Sequence, residues 1–89
     1  MSADIVKKIR ELSDLIEQNP NDPMAYSKRA EAFDQYGRES KAIADYTKAI
    51  ELEPRNASFY RARGRLYDWN EDNGKAKQDL SKAIELEPN

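Results

Sequence analysis

TKAIELEP at residues 47–54 and SKAIELEP at residues 81–88 differ at one position and stand 34 residues apart. That offset organises the rest of the chain. Tyr26 meets Tyr60, Arg29 meets Arg63 and Phe33 meets Tyr67. Ala42 meets Ala76, Asp45 meets Asp79, Ile50 meets Ile84 and Pro54 meets Pro88. A fixed period of roughly 20–50 residues marks a stacked-repeat architecture, because one unit cannot bury its apolar face alone.

Within each unit the spacing is helical. Tyr26, Ala30 and Phe33 share one face, and Ala42, Tyr46, Ala49 and Ile50 share another, at steps of three and four. Gly37 lies between these segments and can end a helix in a left-handed conformation. Asp22-Pro23 reads as an N-cap followed by proline at the first helical position, and Asn56 is its equivalent in the next unit. Pro54 and Pro88 stop the second helix of each pair. Small residues at Ala30/Gly64, Ala42/Ala76 and Ala49/Ala83 let paired helices approach closely. Five helices are predicted, at about 4–18, 23–36, 39–53, 57–70 and 73–87.

The pattern Tyr26-x2-Arg29-Ala30-x2-Phe33…Ala42-x3-Tyr46…Pro54, with its second copy Tyr60-x2-Arg63-Gly64-x2-Tyr67…Ala76-x3-Leu80…Pro88, resembles the tetratricopeptide repeat (TPR). The resemblance covers 23–88. Tyr26 and Tyr60 stand where the family often has Trp, and Arg29 and Arg63 where Leu is common. It implies an all-α, right-handed antiparallel helix-pair solenoid spanning 1–89 as one domain, with repeats at 23–56 and 57–89. Subtracting the period puts Ile9 under Ile43, Leu12 under Tyr46, Ile16 under Ile50 and Pro20 under Pro54. Residues 4–18 therefore read as a second-type helix capping the N-terminal end.

The composition agrees with stacked amphipathic helices. The chain has 89 residues, 36% of them charged, and a net charge of -2, so no nucleic-acid footprint is expected. It has no cysteine and no histidine, which removes disulfides, thiolate metal sites and the commonest acid–base group. No apolar run approaches the ~20 residues of a membrane span, and the start lacks a signal-peptide hydrophobic region. A cytoplasmic protein with no membrane association is the expectation. The serines have no histidine to activate them and no Gly-rich phosphate loop exists. The chain reads as a non-enzyme without cofactors.

One stretch offers a rival. In DWNEDNG, 68–74, Asp68, Asn70 and Asp72 alternate like a calcium loop, and Asp79 falls at the closing position. Asn73 stands where the loop needs Gly, however, and a twelve-residue loop would consume Ala76 and break the register. A turn is the better reading, with Asp72 as N-cap and Asn70 or Asn73 as the left-handed residue. Glu71 replaces Gly37 here, so this turn is expected to differ in shape from the first.

Arg29 with Asp45, and Arg63 with Asp79, read as a repeated ion pair within each unit. The resemblance places function on the concave face lined by the first helix of each repeat. Those faces carry Met24, Ser27, Lys28, Glu31 and Gln35, then Ser58, Arg61, Ala62, Arg65, Asp68 and Trp69, and of these Lys28, Glu31, Arg61, Arg65 and Trp69 are the candidate groove residues. Lys28, Arg61 and Arg65 beside Trp69 favour an acidic peptide or helix as partner. One TPR subclass holds chaperone C-termini with a carboxylate clamp of Lys, Asn and Arg over three first helices. Aligned as its first two units, this chain has Ser27, Glu31 and Ala62 for Lys, Asn and Asn. Aligned as its last two, it has Lys28, Ser58 and Ala62 for Asn, Lys and Arg. Neither reproduces the clamp, so chaperone binding is not expected. A second expectation is self-association as a scaffold unit, giving a weak homodimer through Leu80, Ile84 and Leu86 on the last helix, opposed by polar Lys77 and Gln78.

Overall fold

The computed structural model describes residues 2–88, folded as five helices: α1 (Ser2–Gln18), α2 (Pro23–Gln35), α3 (Glu39–Leu52), α4 (Ala57–Trp69) and α5 (Asn73–Leu86). They form a right-handed stack of antiparallel pairs. α2 packs most extensively on α3 and α4 on α5, while α1 and α4 add the lesser contacts to α2 and α3. α1 starts two residues earlier than the sequence suggests, and α2 to α5 each end one residue earlier.

The small residues sit where the pairs cross. Ala30, Ala42 and Ala49 are fully buried, and Ala76 and Ala83 nearly so. A methyl group on Gly64 would stand 3.0 Å from Leu80 Cγ and 3.2 Å from Asp79 Cβ, so the missing side chain sets the approach of α4 to α5. Around these contacts Ile16, Tyr26, Tyr46, Ile50, Phe59 and Leu66 form the core.

Side-chain caps start three helices. Asp22 accepts from the Met24 N–H and Asn56 from the Ser58 N–H, each at 3.0 Å, and Asp72 from the Lys75 N–H at 3.3 Å. Each satisfies a backbone donor that the helix leaves orphaned. Tyr26 and Tyr60 hydroxyls donate to the Pro20 and Pro54 carbonyls at 2.9 Å, tying each first helix to the proline turn before it.

The two turns inside the repeats have the same shape, contrary to the expectation for Glu71. Arg38 N–H donates to the Phe33 carbonyl and Gly37 N–H to that of Asp34. Asp72 N–H donates to Tyr67 and Glu71 N–H to Asp68 in the same pattern. Both are Schellman C-caps, whose hydrogen bonds require a left-handed residue. Gly37 takes φ +78° without cost, and Glu71 is forced to φ +62°. Neither Asn70, at φ -84°, nor the helical Asn73 supplies that residue.

Each repeated arginine joins three helices. Arg29 makes a two-pronged bond to Asp45 on α3, with both distances 2.7 Å, and donates to Ser13 Oγ on α1 at 3.1 Å. Arg63 does the same with Asp79 on α5, at 2.8 Å twice, and with Thr47 Oγ1 on α3 at 3.1 Å. Ser13 and Thr47 donate their own protons to the Ile9 and Ile43 carbonyls. The paired Tyr26/Phe33 and Tyr60/Tyr67 rings flank each guanidinium. Hydrogen bonding to the aspartate raises both arginines above their ordinary value, against the opposing cost of burial. The α1 helix departs from the repeat where a preceding helix would pack: exposed Lys8 and Glu11 stand at the positions of buried Ala42 and Asp45.

Candidate functional site

The first helices of the two repeats, α2 and α4, border a groove of about 780 Å³ floored partly by α3. α2 turns Met24, Ser27, Glu31 and Asp34 toward it, a stripe at helical spacing. α4 answers with Ser58, Phe59, Ala62, Arg65, Leu66 and Trp69. Glu39 and Tyr46 reach it from α3. Met24 and Trp69 are exposed, Trp69 to 75%.

Of the candidate groove residues, Glu31, Arg65 and Trp69 line this space and Lys28 and Arg61 do not. Of the expected cluster of Lys28, Arg61 and Arg65, only Arg65 stands in the lining of this groove. Arg61 instead reaches Glu87 beyond the end of α5 at 3.3 Å. The reason is geometric. The groove lies between α2 and α4, so each presents the face turned toward the other. Ser27 and Arg61 are equivalent in the repeat, yet Ser27 faces the groove and Arg61 faces away from α2. Asp34, Glu39, Tyr46, Phe59 and Leu66 escaped the sequence reading of the groove. For Asp34 a signal existed, since Ser27, Glu31 and Asp34 step by four and three.

The polar lining is acidic: Glu31, Asp34 and Glu39 against the single cation Arg65. None of the four makes an ion pair among the described residues. Tyr46 is 7% exposed. Burial pushes its hydroxyl up from 10.0 to about 12, with Glu31 and Asp34 acting in the same direction and Arg65 opposing. Unlike those of Tyr26 and Tyr60, this hydroxyl has no hydrogen-bond partner among the described residues. No buried side-chain polar atom is left unsatisfied there, so it retains contact with the groove's solvent.

On the other face, Ile84 is 64% exposed, and Leu80 and Leu86 are half-buried. Tyr46 and Ile50, the repeat equivalents of Leu80 and Ile84, are buried in the core beneath α4, and Leu52, the equivalent of Leu86, is half-buried like it; α5 has no described helix over the corresponding face. Of the residues that alternate like a calcium loop, Asp72 is an N-cap, and both oxygens of Asp79 at the closing position are held by Arg63. Among the described residues no cluster of three or more acidic side chains is placed to hold a metal ion, and no helix is long and apolar enough to cross a membrane.

Comparison with known proteins agrees with this architecture. The family model for the tetratricopeptide repeat matches residues 25–56 and 57–89. The chain belongs to the tetratricopeptide repeat family. Among solved structures it is similar to a crystal structure of MamA, at 30% identity over 90% of this chain and 47% of that one, with a TM-score of 0.88. It spans about half the length of the MamA chain it matches. The first TPR of Spaghetti (RPAP3), bound to HSP90 peptide SRMEEVD, superposes with a TM-score of 0.92. That match is 24% identical and covers 98% of this chain and 69% of that one. The second TPR of the same protein, bound to the same peptide, gives 0.88 at 23% identity over 93% and 77%. At those identities the likeness to RPAP3 is one of fold. No curated protein matches the sequence.

Proposed function

We propose that this protein is a non-catalytic interaction module that binds a peptide or helix of a protein partner in the groove between α2 and α4. The observation that carries the reading is the groove itself, with Met24 and Trp69 exposed beside an apolar floor of Phe59 and Leu66. An aromatic of this kind supplies rigid contact area at low entropic cost. Two TPR domains of the same fold have a peptide bound, which supports a peptide as the ligand class. The acidic ligand expected from Lys28, Arg61 and Arg65 is not part of this reading, because Arg65 alone of the three lines the groove. Exposed contacts of this number support an affinity near the micromolar range, roughly -8 kcal/mol.

The test is to select binders from a displayed peptide library and map them by NMR. Amide shifts centred on Ser27, Ala62 and Trp69 are expected. Shifts confined to the outer face of α5 would reject groove binding. They would favour the second reading, a scaffold unit that self-associates through Leu80, Ile84 and Leu86, which the exposure of Ile84 supports.

A further inference from the structure

If the groove is the binding site, its charge pattern points to the kind of segment it takes. Glu31 and Asp34 stand one turn apart on α2, and Glu39 opens α3 across the short connection. None of the three makes an ion pair among the described residues. Two other arginines in the same fold show what a pairing would look like, since Arg29 and Arg63 each take an aspartate at 2.7–2.8 Å. The groove carboxylates have no such partner, although Arg65 lines the same space.

The second observation is Tyr46. Its ring is buried in the core, yet its hydroxyl is left without a partner at the groove floor. The hydroxyl keeps contact with the groove's solvent, so a donor of a ligand can take the place of water there. The hydroxyl oxygen can accept from an ammonium or guanidinium. Glu31, Asp34 and Glu39 line the same groove as this hydroxyl, with Arg65 on its α4 side.

We propose that the groove selects a cationic-apolar segment. A Lys or Arg of the partner enters among Glu31, Asp34 and Glu39 and donates to the Tyr46 hydroxyl, and a neighbouring apolar side chain packs on Phe59 and Leu66. Arg65 on the α4 side meets a carbonyl or carboxylate of the same segment, which fixes its direction. Trp69 at the rim covers the apolar side chain or stacks with a second cation. Opposed charges here direct encounter and partner choice more than total affinity.

Trp69 is the only tryptophan and lines the site, so its emission reports occupancy directly. Three synthetic helical peptides share one Leu pattern and carry Lys, Gln or Glu at their polar positions. Titrated into the intact protein, the Lys peptide is expected to bind about tenfold tighter than the Glu peptide at low salt, with the difference shrinking toward ~0.5 M salt. The double variant E31Q/D34N changes exposed side chains that make no ion pair, so the fold persists. It should weaken the Lys peptide about fivefold and the Gln peptide by clearly less. Tyr46→Phe keeps the ring and should weaken the Lys peptide alone. Equal binding of Lys and Glu peptides, or an E31Q/D34N variant that binds the Lys peptide as tightly as the parent, overturns the charge assignment. In that case a Trp69 response to the Gln peptide leaves groove binding standing. No Trp69 response to any of the three overturns both.

Discussion

Arg63 and Arg61 are two residues apart and have opposite environments. The Arg63 side chain is 17% exposed and grips Asp79 with two prongs while reaching back to Thr47. Arg61 is 39% exposed and meets a still more open Glu87 at 3.3 Å. Removing one member of a buried pair strands the other charge, which costs several kcal/mol, whereas an exposed pair contributes little. Arg63→Ala is expected to lower stability by about 2–3 kcal/mol, discounted for partial exposure, and Arg61→Ala by less than ~0.5 kcal/mol. Urea titrations that move both midpoints equally would reject this difference. The pairing of Arg63 with Asp79 was legible because both residues recur at the period. The bond to Thr47 was not, since Thr47 belongs to the preceding repeat and meets Arg63 only when α3 is laid against α4.

At the scale of elements, the turns are decided by backbone hydrogen bonds rather than by their side chains. The same Schellman pattern closes α2 and α4, so position 71 is left-handed whatever residue occupies it. For a residue with a Cβ this conformation costs roughly 1–2 kcal/mol. Glycine removes that strain but gives back part of it as unfolded-chain entropy. Glu71→Gly is therefore expected to stabilise by about 0.5–1 kcal/mol, since the Glu71 side chain is exposed and makes no hydrogen bond or ion pair among the described residues. A thermal midpoint that falls would mean that the turn relaxes some other way. Residue type alone favours Asn70 or Asn73 for this role, because asparagine tolerates the left-handed region. The register of the helices overrides that preference.

At the scale of the whole molecule, the stack measures 35 × 27 × 19 Å and leaves its two ends unlike. α1 shows Lys8 and Glu11 where a further helix would pack, and α5 shows Ile84 with half-buried Leu80 and Leu86. Lys77 and Gln78 are exposed beside them and limit the apolar area. Sedimentation should reveal a weak, concentration-dependent dimer that Ile84→Lys abolishes. A mass that stays monomeric up to high concentration excludes self-association through this face.

The sequence alone determined the helices, their pairing, the small-residue crossings and the Arg–Asp bonds. All of these are properties of one repeat, and a repeat writes them twice at a spacing of 34 residues. Only the tertiary structure decided which residues share the groove. Repeat-equivalent side chains have equivalent surroundings in the interior of a long array, but the groove of a two-repeat stack lies between unlike neighbours. Ser27 is turned into it and Arg61 out of it by the same helical phase, and a pattern read as basic along the chain becomes acidic in space.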